Sequence, residues 1–112
     1  MRYKKLAITS LIVDSKIKLS VIIPAYNPGK KIIPCLNALG KNLDYFSKHN
    51  NFMYEVLIIN DAGNKINLNF DHGIDNIRSL RIRRNRGVGY VRQLGTRISK
   101  YDYILYLDSD VV

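Results

Sequence analysis

Three short apolar runs and one alternating stretch, each delivered into a polar cluster, constrain this chain more than any other feature. "LSVII" precedes "PAYN", "EVLII" precedes "NDAGN", "IRSLRI" precedes "RRNRG" and "YILYL" precedes "DSD". Two of the gaps carry a helical period instead. Ile32, Leu36, Leu39, Leu43 and Phe46 recur at steps of four, three, four and three, and Val88, Val91, Leu94, Gly95 and Ile98 mark a second face. Apolar runs without alternation are strands buried on both sides, which calls for a parallel sheet covered by helices. The expected fold class is α/β, a mostly parallel sheet with helices on both faces.

The elements are expected as follows. The first strand covers Leu19 to Ile23 and is halted by Pro24, because proline cannot donate to the ladder. Pro34 fits the following helix only in its first turn. The second strand ends at Asn60 and Asp61, and "DHGIDN" is a loop. The third strand sets Ile77, Ser79 and Arg81 against Arg78, Leu80 and Ile82, and the last lies within "YDYILYLDSD". With 112 residues there is room for one core. Residues 1–17 are expected to be an extension or edge strand, and residues 18–112 the domain. The start, "MRYKKLAITSLIVDSK", is basic then apolar like a weak secretion signal, but no small-residue cleavage site follows. No run approaches the roughly 18 apolar residues of a membrane span.

The formal charge of +9 is unevenly placed. Arg78, Arg81, Arg83, Arg84, Arg86, Arg92 and Arg97 fall within twenty positions, and no acid lies between Asp75 and Asp102. Such a block suits an anionic partner, whether a phosphorylated small molecule, a membrane surface or nucleic acid, although a solvated basic face is as good an explanation from charge alone. The single cysteine, Cys35, excludes an internal disulfide framework and reads as a small buried residue. His49 and His72 read as surface histidines.

In a parallel sheet, ligands sit beyond the carboxyl ends of the strands. Those ends are "PAYN", "NDAGN" and "DSD", so the chemically capable residues collect at one edge. Along extended chain, residues i and i+2 face the same way, so Asp108 and Asp110 can aim two carboxylates at one point. Their repulsion is relieved by a hard divalent cation, Mn2+ or Mg2+, that takes its remaining ligands from water and phosphate. An isolated Asp-x-Asp is more often an ordinary turn; its place at the sheet edge beside Asp61 is what gives it weight.

"LSVIIPAYN", "YEVLIINDAGN", "NRGVGYVRQLG" and "YILYLDSD", in that order and over residues 19 to 110, resemble the successive signatures of the family 2 glycosyltransferases of the GT-A fold. The resemblance implies a metal-dependent enzyme that moves a sugar from a nucleotide-diphosphate sugar to an acceptor hydroxyl on a polysaccharide, lipid or protein, as in polysaccharide biosynthesis. It implies that Pro24, Ala25, Tyr26 and Asn27 line the nucleotide pocket and that Asp61 reads base and ribose. It also implies that Asn85, Gly87, Arg92 and Gly95 form a helix beneath the site that offers Arg92 to it. Asp108 and Asp110 would hold ribose and the metal-bound diphosphate. The residues are compatible with these roles: Tyr26 can form a shelf for a base, and Arg92 can meet a phosphate bidentately. Gly87 and Gly95 read as backbone geometry and close helix–sheet packing.

Departures from the family pattern are Asn60 in place of an acid, Ala62–Gly63 in place of Gly–Ser, and Gln93 in place of an asparagine. No catalytic base is assigned; by resemblance it is expected beyond Val112, so the chain reads as the donor-binding part of a longer enzyme, with its activity alone in doubt. The expected location is the cytoplasm, at the periphery of a membrane. Three rivals are weaker. Gly87-Val88-Gly89 opens a helix as in dinucleotide-binding folds, but the third glycine position holds Arg92. A nucleic-acid-binding module would exploit the charge and the eight tyrosines, yet no recognition motif for it is present, and no nucleic acid is expected as partner. A degenerate relative acting only in protein interaction predicts no nucleotide effect at all.

Overall fold

The computed structural model describes residues 17–49 and 51–109. The expected extension over residues 1–17 lies outside this range save for Ile17, and so does Asp110. Four strands, β1 (Ile17–Ala25), β2 (Phe52–Asn60), β3 (Ile77–Arg81) and β4 (Tyr103–Tyr106), form one sheet in the order β3-β2-β1-β4. Every pairing is parallel. A 3-10 turn at Gly29–Lys31 leads into helix α1 (Ile32–His49), and helix α2 (Val88–Ile98) joins β3 to β4. The α/β class expected from the apolar runs is the architecture found.

Side-chain alternation splits the core between the two faces. Val21, Ile23 and Ala25 of β1 and Val56 and Ile58 of β2 meet Ile32, Leu36, Leu39 and Leu43 of α1. Ile22, Leu57 and Ile59 face the other way and meet Val91 of α2. Each of the valine, leucine and isoleucine side chains stabilises the fold by roughly 1.5–3 kcal/mol when fully buried. Gly95 lets α2 lie close on β1, since a Cβ there would stand 2.5 Å from Cγ2 of Ile22. Pro34 is the third residue of α1, where its missing N–H costs nothing. Phe46 and Val88, expected on the buried helical faces, are 44% and 50% exposed.

One further detail differs from the sequence expectation. Pro24 does not end β1, which continues to Ala25 with Pro24 opposite Ile59 and Ala25 opposite Asn60. The ladder to β4 stops at the Ile22–Tyr106 pair, and the carbonyl of Ile22 points to that side, accepting from the N–H of Leu107. Two residues on, Pro24 turns the same way, past the end of β4, so no bond is lost. Residues 61–76, which include the expected loop "DHGIDN" and no expected helix, cross from β2 to β3 without regular structure. The packing that a helix would otherwise supply on this face comes from Ile66, Leu68, Phe70 and Ile74, an irregular strap on the α1 side of the core.

The strand order fixes where a ligand can enter. From β1 the chain builds outward through β2 to β3, then crosses back to place β4 on the other side of β1. The two helices accordingly cover opposite faces. At such a reversal the loops after the two flanking strands part and leave a crevice beyond their carboxyl ends. Here those loops are Tyr26–Pro28 after β1 and Leu107–Ser109 after β4.

Candidate donor-binding edge

At this reversal point the first loop leaves β1 through Ala25, which is buried, and Tyr26, which is 55% exposed. Pro24 is half-buried and Asn27 exposed. Asn27 adopts a left-handed backbone, φ 46°, and its Oδ1 accepts the N–H of Asn64 at 2.6 Å. The turn after β1 is thereby tied to the loop after β2.

That second loop is held from three directions. Asn60 is buried; its Oδ1 accepts the N–H of Gly63 at 3.0 Å while its Nδ2 donates to the carbonyl of Asn64 at 2.7 Å. A carboxylate accepts only, so an acid at position 60 could make the first bond and not the second. This accounts for the asparagine where the resemblance leads one to expect an acid. Arg81, at the end of β3, donates through Nε to the carbonyl of Gly63 at 2.8 Å and through Nη2 to that of Ala62 at 3.2 Å. Gly63 is needed by close approach, since a Cβ there would stand 2.7 Å from Asn27 Oδ1 and 2.8 Å from Asn27 N. Ala62 sits at φ 64°, a region where a side chain is strained.

Asp61 is 6% exposed. Its two oxygens accept the N–H groups of Arg86 at 2.7 Å and Gly87 at 2.9 Å. Gly87 precedes α2 and has no side chain to cap it, so a carboxylate from another loop satisfies donors at the helix start. Asp61 thus has a structural duty that its position in the sequence did not disclose. Any base or ribose contact must use the lone pairs that remain.

Asp108 lies two residues beyond Tyr106, the last β4 partner of the ladder, and is open to solvent. Its Oδ1 accepts from Nη2 of Arg92 at 3.2 Å, with the two side chains 59% and 41% exposed. The pair needs no large stabilisation to be informative, because exposed ion pairs contribute little. Arg92 Nε is shut off from solvent and has no hydrogen-bond partner among the described residues. The guanidinium carbon stands 6.0 Å from the Tyr106 ring, and the hydroxyls of Tyr106 and Thr96 are hydrogen-bonded. From below, the thiol of buried Cys35 donates to the backbone carbonyl of Asp108 at 3.6 Å. A lone cysteine carried no sequence signal for such a supporting role.

The structure therefore brings Asn27 to the β2 loop, Asp61 to the start of α2, and Arg92 to Asp108. It does not gather all of them in one cavity. A cleft of about 460 Å³ opens between Asn27, Lys30, Ile33, Asn64, Asn67 and Phe70. A smaller one of about 270 Å³ lies among Arg83, Arg84, Arg86 and Tyr90. The arginine block is divided in the same way. Arg81 braces a loop, Arg92 pairs with Asp108, and Arg86 lies over the Tyr90 ring at 4.8 Å.

Among the described residues no group of three or more His, Cys, Asp or Glu side chains could hold a metal ion. The donor set still suits a cation of the Mg2+ or Mn2+ kind, which takes one or two protein carboxylates and completes its shell with water and phosphate oxygens. Asp108 is one such exposed carboxylate. No helix among the described residues is long and apolar enough to cross a membrane.

Known proteins share much of this sequence. The chain is 32% identical over 105 residues to the dolichyl-phosphate beta-glucosyltransferase of Mus musculus, covering 87% of this chain and 32% of that protein. It is 35% identical over 101 residues to the enzyme of the same name from Dictyostelium discoideum, covering 84% and 31%. With the chondroitin synthase of Escherichia coli it shares 31% identity over 106 residues, 90% of this chain and 14% of that protein. The chain spans about a third of the length of the first two relatives. A family model described as Glycosyl transferase family 2 matches residues 20–112, most of the chain and all of the described sheet from Ser20 onward, and the chain belongs to that family.

Proposed function

We propose that the protein is a glycosyltransferase and that the described part is its donor-binding half, receiving a nucleotide-diphosphate sugar over the carboxyl edge of the sheet. One observation carries this: the exposed Asp108–Arg92 pair stands beside the strand-order reversal, where α/β sheets take their ligands. Pro24, Ala25, Tyr26 and Asn27 line the nucleotide side, with Tyr26 as an exposed aromatic surface for the base. Asp61 contributes to base and ribose binding through its remaining lone pairs and by fixing Arg86 and Gly87. Arg92 meets the diphosphate, to which a guanidinium can donate two hydrogen bonds.

Asp108, together with Asp110, would hold the divalent cation. When bound, that ion supplies Lewis-acid stabilisation of the charge that develops on the leaving diphosphate. The chain's own contribution is positional. The loops after β1 and β4 orient the donor, and α2 presents Arg92 from beneath. The acceptor is an oxygen nucleophile on a polysaccharide, lipid or protein. A hydroxyl needs a general base to remove its proton, a role assigned to no residue of this chain. The names of the dolichyl-phosphate relatives point to a lipid phosphate as the other form such an oxygen can take, and hence to work beside a membrane.

The test is a thermal melt with UDP, GDP and their sugar conjugates, each with and without Mn2+. A ligand at a hundred times its dissociation constant adds about 2.7 kcal/mol to stability. A rise is expected with one nucleotide plus metal, and Asp108→Ala should abolish the part of it that depends on metal while leaving the unliganded melt in place. A cooperative melt indifferent to every nucleotide would sink the proposal in favour of a role in protein interaction. A response to polynucleotide that fades steeply with salt would favour the nucleic-acid reading.

A further inference from the structure

Resting on that donor-binding reading, we infer that Arg92 is a displaceable counter-ion of Asp108, a latch that keeps the carboxylate occupied until a diphosphate arrives to take the guanidinium away. The two side chains are joined by one bond, Nη2 to Oδ1 at 3.2 Å, with both partly open to solvent. This is a single contact and not the two-pronged one of which arginine is capable. The same guanidinium leaves Nε enclosed and without a partner among the described residues. An enclosed, unsatisfied donor is costly and calls for an explanation. The arrangement with Asp108 is therefore not the one that best satisfies Arg92.

A better one is within reach. A diphosphate offers several anionic oxygens, enough for more of the guanidinium donors than one Asp108 oxygen can serve. Tyr106 gives the moving group a surface, its ring 6.0 Å from the guanidinium carbon at the outer limit of a cation–π contact. The ring is steadied by the hydroxyl bond to Thr96, and Thr96 Oγ1 also donates to the carbonyl of Arg92 at 2.9 Å, so the three residues form one local unit. Cys35 meanwhile holds the Asp108 backbone from the other side. The carboxylate thus stays in place while its partner changes.

The consequence is an order of preference in loading. With Arg92 on Asp108, a cation meets a neutralised carboxylate and a neighbouring positive charge, so metal alone binds poorly. A nucleotide diphosphate that draws Arg92 off would expose the Asp108 charge, which could then help to hold a cation. Arg92 is in this sense a positioning residue for Asp108 as well as a ligand for the donor. Futile occupation of the site by free cation is discouraged, and coupling of this sort is typically worth 5- to 150-fold in affinity.

The experiment measures binding in the intact protein by calorimetry, with Mn2+ alone, UDP or GDP alone, and both together. In Arg92→Gln, affinity for Mn2+ alone should rise about tenfold while affinity for the nucleotide falls. A merely structural arginine would not move the two in opposite directions. Arg92→Lys, which keeps the charge with fewer donors, should leave Mn2+ affinity near the wild-type value. The mirror variant Asp108→Asn should bind metal-free nucleotide more tightly than wild type, because no ion pair has to break. That gain should vanish when Arg92→Gln is added; if it persists, simple repulsion between Asp108 and the phosphates explains it and the latch is overturned. Unchanged or weaker Mn2+ binding in Arg92→Gln also overturns it, leaving donor binding itself intact. A wild-type protein that binds no nucleotide in any combination would bring down the donor-binding reading and the latch with it.

Discussion

The two ends of the sheet treat their polar groups in opposite ways. Toward the amino end, Ser20 and Glu55 are register partners in β1 and β2 and both are buried. The Ser20 hydroxyl donates to Glu55 Oε2 at 2.6 Å, the Lys100 N–H donates to the same oxygen at 2.5 Å, and the Tyr101 N–H donates to Ser20 Oγ at 3.2 Å. These contacts close on themselves and lock the turn before β4 onto the sheet. At the carboxyl end Asp108 and Arg92 share one bond in the open and leave Nε unmatched among the described residues. There the backbone is also strained, with Asn27 and Ala62 both at positive φ. A satisfied polar cluster is architecture, whereas an unsatisfied one beside strained loops is where a ligand has something to add.

Breaking the closed end should have the largest effect on stability and none on binding. Glu55→Ala strands the Ser20 hydroxyl and the Lys100 N–H, and should lower the unfolding free energy in urea by about 3 kcal/mol, with nucleotide affinity unchanged in the folded fraction. A matching loss of affinity would show that the two ends are coupled, contrary to the comparison. Gly63→Ser restores the residue expected by resemblance but sets a Cβ against Asn27. It should cost about 2 kcal/mol and weaken nucleotide binding by pushing the turn after β1 aside, both visible in melts with and without ligand. Stability and binding unaffected by Gly63→Ser would mean that the loop yields freely. The smallest effect has the opposite sign. Ala62→Gly relieves the left-handed strain at φ 64° and, after the extra chain entropy of glycine, should raise stability by about 0.5 kcal/mol.

The open end also differs from side to side. β2 is buried at every position from Glu55 to Asn60, while in β4 Tyr103, Leu105 and Tyr106 are 64%, 43% and 45% exposed. Their sequences are almost equally apolar, and what separates them is the order among the described strands: β2 lies between β1 and β3, while β4 has a described neighbour, β1, on one side. Position in the sheet, which no single strand encodes, decides how much of its apolar surface leaves water.

Periodicity and composition alone determined the α/β class, the two helical faces and the gathering of "PAYN", "NDAGN" and Asp108 at one end of the strands. Those are local patterns with a period of two or 3.6, and burial enforces them wherever the strands lie. The resemblance added the family, which comparison with known proteins bears out. Only the tertiary structure decided the partners. It spent Asp61 on the backbone of Arg86 and Gly87, Asn60 and Arg81 on one loop, and Arg92 on Asp108. It also let β1 run through Pro24, since β4 ends first. The side-chain bonds among these join residues 3 to 26 positions apart, and such a bond depends on distance and direction in space, which spacing along the chain does not carry.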